Sequence, residues 1–284
     1  MVRRSFIDEP LSRLAAWSSR LALFALAAAA LSVLILRTRL LETGPALATF
    51  AGALGFATLA ILLALAAFVS IWRQGYSGLG RAVRGLILGL LLLAYPVYLG
   101  AHAFKLPAIN DITTDPGNPP RFEALARLRP ADRVAYPGAQ TAALQRQAYP
   151  DIVPLQLALP VQTAYNVALS VILKRKWPIA EARRPVGPRG GGAIETTARS
   201  LLMGFSDDIV IRVTPIGSGA IMGSRIDLRS ASRYGEHDLG ANAARLRALL
   251  EDIDDAAGDA PEPRPEPEPA PQKKPAPKRP QPRR

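Results

Sequence analysis

The stretch from Ile226 to Arg247 concentrates polar side chains where a predicted strand gives way to a predicted helix. Its candidate binding residues are Arg229, Ser230, Ser232, Arg233, Asp238, Asn242 and Arg245. Guanidinium and hydroxyl groups are the donors that an anionic ligand requires, so this set predicts an anion site. The competing interpretation is a group of ion pairs that fixes a strand-to-helix corner.

The spacing of these residues favours the structural interpretation. Asp238, Asn242 and Arg245 share one helical stripe, which borders the apolar stripe that begins at Leu239. Asp238 is placed to cap this helix by accepting hydrogen bonds from its first free amides. Arg233 leaves the preceding strand and is expected to return toward Asp238 or Asn242. Paired charges beside a core need no ligand, and we favour a corner over a binding site.

Composition excludes several kinds of chemistry. The chain has no cysteine, which removes disulfides, thiolate nucleophiles and cysteine-based metal sites. Its two histidines, His102 and His237, lie far apart, so a zinc site is not expected. The glycine-rich runs at 187–192 and 217–219 adjoin predicted strands, whereas phosphate-binding loops open a helix. We therefore expect no catalytic residue, no metal and no cofactor.

The elements that must position the polar stretch begin with a membrane region, predicted over residues 1–104. Its helices are expected at about 14–36, 44–72 and 84–104, each near the ~20 residues that a bilayer requires. A twin-arginine signal followed by cleavage at Ala46-Leu47-Ala48 is a competing interpretation. Arg37 and Arg39 would then precede the cleavage site, so we retain the first helix as an anchor.

The arginines that flank the spans predict the orientation of the chain. Those on the side of the N-terminus and the second loop are Arg3, Arg4, Arg13, Arg20, Arg73, Arg81 and Arg84. The first loop carries only Arg37 and Arg39. Because short basic flanks favour the cytoplasm, the N-terminus is expected there. Three crossings then place everything after Phe104 on the periplasmic side of a bacterial inner membrane.

Residues 105–255 are predicted to form one α+β domain, with an antiparallel sheet of about four strands packed with helices. It is expected to begin with an extended connection at 105–120. Strands are predicted at 177–183, 193–199, 208–214 and 220–230, the last two joined through a turn at 215–219, and helices begin near Val161 and Leu239. One face of the last strand is apolar and the other is ionic. The segment 256–284 is rich in proline and charge and predicts a disordered tail.

The folded segment resembles the bacterial and plastid family catalogued as domain of unknown function 1499. The resemblance is carried by IETTAR at 194–199, LMGFSDDIVIR at 202–212, IDLRSASR at 226–233 and DLGANAAR at 238–245. It covers about residues 105–255, and several relatives are membrane-anchored or exported. The family has no established reaction, so the resemblance implies neither a catalytic residue nor a cofactor.

Together these patterns predict an inner-membrane protein whose periplasmic domain binds an envelope protein, an anionic lipid or a cell-wall component. Its helices are expected to contact the lipid bilayer. Nucleic acid is not an expected partner, because the net charge of +12 is not concentrated in the folded segment. The alternative is a periplasmic hydrolase or lipid-modifying enzyme that uses Arg233, Asp238 and His237. A transport accessory is disfavoured, because the spans lack charges apart from His102 near one end.

Overall fold

Three long helices form the N-terminal part of the protein in the computed structural model, which describes residues 10–218 and 221–259. They are α1 (Arg13–Thr38), α2 (Thr43–Gln74) and α3 (Leu79–Ala103), and each is long and apolar enough to cross a membrane. Length and composition thus mark the chain as a membrane protein. Helix α3 begins at Leu79, before the predicted residue 84. Its first turns include Arg81 and Arg84, whose exposed side chains are compatible with the helix.

Small residues lie where the three helices meet. A Cβ added at Gly85 would lie 1.9 Å from Ser18 Oγ, and one at Gly89 would lie 2.7 Å from Ile61 Cγ1. The Ser18 hydroxyl donates a hydrogen bond to the backbone carbonyl oxygen of Ala60 at 2.8 Å. The Gly-x-x-x-Gly pair of α3 therefore permits a close approach that any larger residue would prevent.

The described residues after α3 form a six-stranded antiparallel sheet. Its strands are β1 (Asp111–Thr113), β2 (Leu155–Leu157), β3 (Ile179–Arg183), β4 (Gly192–Arg199), β5 (Ser206–Ser218) and β6 (Ile221–Ser232). The strand order is β1-β6-β5-β4-β3, and β2 pairs with an earlier part of β6 than β1 does. The predicted α+β fold is confirmed, with two more strands than expected. Both additional strands have three residues, too few to show a period.

The central hairpin of β5 and β6 is longer than predicted. Its ladder runs from the pair Asp207–Ser232 to the pair Ser218–Ile221. The residues from 215 onward were assigned to the turn, and this assignment is wrong because Pro215 belongs to β5. Strand β4 ends its pairing with β5 at Val213, so the missing N–H of Pro215 removes no bond on that side.

One face of the sheet carries the hydrophobic core. Ile209, Ile211 and Val213 alternate along β5 and are fully buried. The helices that follow α3 are α4 (Ala139–Ala148), α5 (Val161–Lys174) and α6 (Ala241–Gly258), and α5 and α6 pack on this face. Leu246 and Leu249 of α6 are also fully buried, so the core holds the helix that follows the β6 corner. The predicted tail starts within the end of α6, and its remainder lies outside the described residues.

The opposite face of the sheet is ionic, as predicted, but it does not face water. The segment 114–137 runs across it, and Phe122 and Leu125 pack there on Val210 and Ala231. The charged residues beneath this segment that are at most 3% exposed are Asp111, Glu195, Asp208, Asp227 and Arg229. A charge removed from water is stable only when it is paired and hydrogen-bonded, so each of these groups requires a partner inside the protein.

Only residues 104–110 connect α3 to β1. The extended connection predicted at 105–120 is therefore wrong in its length, because Asp111 to Thr113 pair with the end of β6. The sequence suggested a longer link, since its prolines and glycines do not reveal a three-residue strand among them. The folded segment consequently begins directly at the end of the third membrane helix.

The end of α1 and the loop that follows it also contact the folded segment. Arg37 donates hydrogen bonds to the carbonyl oxygens of Leu201 and Leu202 in the loop between β4 and β5. Arg39 donates to the Ser206 hydroxyl oxygen at 2.6 Å. The first loop and the end of α3 therefore hold the sheet from the same side of the helices.

Candidate functional site

The seven candidate residues are divided between the two faces of the sheet. The face covered by α6 holds Ser230, Ser232, Asn242 and Arg245, the turn before α6 holds Asp238, and the opposite face holds Arg229 and Arg233. The sheet itself therefore separates Arg245 from the other two arginines. The three arginines have three different carboxylate partners and do not converge on one ligand position.

Asn242 links β6 to α6 through its side-chain amide, which is fully buried. Its Oδ1 accepts a hydrogen bond from the Ser230 hydroxyl at 2.7 Å. Its Nδ2 donates to Ser232 Oγ and to the carbonyl oxygen of Asn110, both at 3.0 Å. Both ends of the amide thus have partners within the protein, which is what a buried polar group requires.

Arg245 completes this network from the next turn of α6. It donates to Ser230 Oγ at 3.0 Å and to the Asn242 side-chain oxygen, and it forms an ion pair with Asp207. Both side chains of the ion pair are largely buried, with exposures of 11% and 7%. The ion pair holds α6 on β5, the bond to Ser230 holds it on β6, and little cationic surface remains for a ligand.

Asp238 caps α6, as the sequence predicted. The helix starts at Ala241 and its N-cap is Gly240, whose φ of 78° is readily adopted only by glycine. The Asp238 carboxylate accepts from the N–H groups of Gly240 and Asn242, each at 2.9 Å. Burial raises the pKa of Asp238 above its ordinary value, against the opposing effect of these hydrogen bonds.

The raised pKa of Asp238 predicts a pH-dependent effect of Asp238→Asn. A carboxyl with a higher pKa in the folded chain than in the unfolded chain stabilises the protein most at low pH, and this contribution is lost as pH rises through the folded pKa. Asparagine also caps helices and does not titrate. We expect the variant to gain stability relative to the parent as pH rises from about 4 toward the raised pKa.

The quantity to measure is the difference in the free energy of unfolding between variant and parent. Urea denaturation of the full chain in detergent micelles, followed by near-UV circular dichroism across this pH range, gives it. Asp254→Asn, which changes an exposed carboxylate of the same helix, is the matched control. A stability difference for Asp238→Asn that does not change with pH would contradict the prediction.

Arg229 is the largest fully buried side chain among the described residues. Its guanidinium binds both carboxylate oxygens of Asp111, at 2.7 and 3.0 Å, and it lies 4.6 Å from the ring centroid of Phe122. It also donates to the carbonyl oxygens of Pro120 and Val134, both at 3.1 Å. Arg229 therefore fastens the segment 114–137 to the sheet rather than facing a ligand.

Tyr136 lies beside this ion pair, with its ring centroid 5.9 Å from the Arg229 guanidinium carbon. Burial, together with the charge of Asp111, raises the pKa of Tyr136 to about 12. Its phenol therefore stays protonated at neutral pH and does not act as a base there.

Asp208 is the centre of a second ionic cluster on the same face. It is fully buried and accepts from Arg129 at 2.9 Å, from Arg233 at 2.7 Å and from the Thr197 hydroxyl at 3.0 Å. The expected return of Arg233 toward Asp238 is therefore wrong. Arg233 stays on its own face of β6, and the register places Asp208 opposite Ala231, two residues before it.

His237 lies beside the Asp238 cap and is half-buried. Its Nδ1 accepts from the N–H of Leu239 at 2.9 Å, and its Nε2 lies 3.2 Å from the carbonyl oxygen of Ala103. A carbonyl oxygen only accepts, so this arrangement requires the proton on Nε2. His237 thus links the strand-to-helix corner to the last residue of α3.

A polar cavity of about 180 Å³ lies beside the ionic face. Its charged lining residues are Asp111, Arg129, Asp132, Arg133 and Glu236. Arg129 is already bound to Asp208, and Arg133 to Glu236. Of the predicted binding residues the cavity includes Ser232 alone, so it is distinct from the anion site that the sequence predicted.

Sequence reasoning missed four residues that organise these charges, namely Asp111, Arg129, Glu195 and Asp208. Glu195 is 3% exposed, and its carboxylate accepts from three consecutive backbone N–H groups, those of residues 123, 124 and 125. Glu195 and Asp208 both lie in the runs that carry the family resemblance. An acidic residue inside a strand of otherwise apolar and hydroxyl residues was the available signal.

The polar network and both ionic clusters lie within the part of the chain that matches a known family. No curated protein matches the chain significantly. The family profile described as "Protein of unknown function (DUF1499)" matches residues 111–253, from the first residue of β1 into α6, which is about half of the chain. The resemblance noted from the sequence is thereby confirmed, and the chain belongs to the DUF1499 family.

Proposed function

We propose that this member of the family is a non-enzymatic inner-membrane protein whose folded domain lies in the periplasm and binds an anionic component of the envelope at the membrane surface. The proposal rests on the contacts of Arg37 and Arg39 with the folded domain. Arg37 lies in the last turn of α1 and Arg39 is its C-cap residue, and they donate to the β4–β5 loop and to the start of β5.

A second contact supports the same position for the domain. His237 of the strand-to-helix corner bonds the end of α3, so the domain is held at two points by the ends of the membrane helices. Both contacts lie at the helix ends opposite those that carry the described arginines of the basic flanks, namely Arg13, Arg20, Arg73, Arg81 and Arg84. The preference of basic flanks for the cytoplasm therefore supports a periplasmic location for the domain.

The hydrolase or lipid-modifying alternative would require Arg233, Asp238 and His237 to act on one substrate atom. Arg233 is bound to Asp208, Asp238 accepts from the first amides of α6, and both ring nitrogens of His237 have partners. Each side chain thus has a separate structural role. This geometry favours the binding function over the enzyme.

The lack of cysteine allows the location to be tested by labelling single cysteines. Val186, in the loop between β3 and β4, is 86% exposed. We expect Val186→Cys to react with a membrane-impermeant maleimide in intact spheroplasts. The matched control is Gln74→Cys at the end of α2, which should react only after lysis. The reverse labelling pattern would overturn the proposed location, whatever the domain binds.

A further inference from the structure

The ends of the membrane helices indicate where a membrane surface crosses the protein. Helix α1 ends at Thr38, α2 begins at Thr43, and α3 ends at Ala103. Arg37 lies in the last turn of α1, and Arg39 is its C-cap residue. Cations at the end of a span lie at the headgroup level, because their charge reaches water and phosphate there.

The loop between β4 and β5, residues 200–205, is held at this level. In addition to the bonds from Arg37 to its backbone, Arg199 at the end of β4 lies 3.5 Å from the carbonyl oxygen of Arg37. A Cβ added at Gly204 would lie 3.2 Å from Cγ of Arg37. The backbone of the loop is therefore packed directly against the end of a membrane helix.

The outward side chains of this loop are apolar. Leu201 is 94% exposed and Leu202 is 43% exposed. Phe205 stacks on Tyr234, which is 48% exposed, with ring centroids 6.1 Å apart. Transfer of a leucine from water to an apolar phase is favourable, and tyrosine is enriched at membrane interfaces. These side chains match the boundary between headgroups and acyl chains.

Positive charge surrounds the same loop. Arg199 is paired with Ser206 in the β4–β5 ladder, and Arg39 donates to the Ser206 hydroxyl oxygen at 2.6 Å, so Arg39 and Arg199 lie close together. Within the described ranges, no carboxylate lies within salt-bridge distance of Arg37, Arg39 or Arg199. Guanidinium groups without carboxylate partners suit phosphodiester anions, which they bind through paired hydrogen bonds.

The opposite end of β4 lacks this combination. Strand β4 has eight residues, so the loop between β3 and β4 lies about 25 Å from the β4–β5 loop at about 3.3 Å per residue. Val186 in that loop is 86% exposed, which is comparable with Leu201. Its loop makes no hydrogen bond with the described membrane helices. Exposed apolar side chains, unpaired cations and helix ends thus coincide only at the β4–β5 end of this strand.

We propose that the β4–β5 loop docks on the outer leaflet of the same membrane, with Leu201 and Leu202 entering the acyl boundary and Arg39 and Arg199 binding the phosphates of anionic phospholipids. This inference rests on the proposed function and identifies its anionic ligand as phospholipid. The domain then binds the membrane through its own surface as well as through its helices.

Spin labelling of the full chain in vesicles measures the depth of the loop. A nitroxide attached at Leu201→Cys should collide readily with oxygen and several-fold less with a water-soluble nickel complex than the same label at Val186→Cys. The vesicles contain phosphatidylcholine with or without phosphatidylglycerol. Anionic lipid should move the Leu201 label deeper, and Arg39→Gln with Arg199→Gln should abolish this shift.

Equal nickel accessibility at the two labelled positions in both lipid compositions would overturn the proposal. A Leu201 label that responds to added inorganic phosphate but not to lipid charge would assign the arginines to a soluble anion and also overturn it. Arg199→Gln alone, checked for native circular dichroism, separates loss of binding from loss of folding. The depth readout does not depend on which side the domain occupies, so it can fail independently of the topology experiment.

Discussion

Replacing Asp208 with alanine is expected to destabilise the folded domain by about 3–5 kcal/mol. The carboxylate of Asp208 is fully buried and is shared by Arg129 and Arg233. Without it, the Arg129 side chain, which is 2% exposed, retains its charge with only carbonyl acceptors. Because single domains are stable by only about 5–15 kcal/mol, this loss approaches the total stability.

Urea denaturation of the full chain in detergent micelles gives the free energy of unfolding for this comparison. The matched control is Asp151→Ala, which removes the partner of Arg247 from an ion pair whose two side chains are 52% and 45% exposed. Its expected cost is below about 1 kcal/mol, because exposed ion pairs contribute little. Asp208→Asn keeps the shape of the side chain, so its cost in stability should lie between those of Asp208→Ala and Asp151→Ala. Equal costs for Asp208→Ala and Asp151→Ala would refute the importance of burial.

Arg229→Met is expected to cost a similar amount, about 3–5 kcal/mol, for the complementary reason. Methionine has a similar length but leaves Asp111 buried without its cation and leaves the carbonyl oxygens of Pro120 and Val134 without donors. The segment 114–137 should detach first, because Arg229 binds it at two points, Pro120 and Val134. Its faster backbone amide hydrogen exchange, relative to that of β5, provides the measurement.

A double variant separates the cost of a buried unpaired charge from the value of the ion pair. Asp111→Leu with Arg229→Met removes both charges together. We expect it to be more stable than the sum of the single effects by about 1–3 kcal/mol, because neither partner is left buried alone. Strict additivity would indicate that Asp111 and Arg229 do not interact, in contradiction to the two hydrogen bonds between them.

The parts of the fold that the sequence predicted are the long elements, in which an apolar pattern continues over many residues. The apolar stretches predicted α1 to α3, and alternation along β5 and β6 predicted their hairpin. The helix α4 and the strands β1 and β2 were missed. Each strand has three residues, and α4 has only two buried positions, so neither shows a clear pattern. These short elements are held by contacts distant in the sequence rather than by their own periodicity.

The same limit explains the result for the candidate site. The predicted turn at 215–219 would place Asp208 opposite Ile226, whereas the hairpin places it opposite Ala231. The pairing of Arg233 with Asp208 was therefore accessible only from a correctly aligned hairpin. The pairing of Arg229 with Asp111 was not accessible even then, because the two residues are separated by 118 positions and meet only through the order of the sheet. The seven candidate residues were grouped into one site because they are close in the sequence. The sheet places them on its two opposite faces.

The short run 104–110 between α3 and β1 keeps the folded domain close to the bilayer and so favours ligands that lie in the membrane. At about 3.3 Å per residue it spans at most about 23 Å, so the domain cannot travel far from the bilayer even if its other contacts release. A ligand confined to the same bilayer is then present at a high effective concentration, because its encounter resembles an intramolecular reaction. A weak affinity for each lipid is sufficient under these conditions, whereas a soluble ligand gains nothing from the tether.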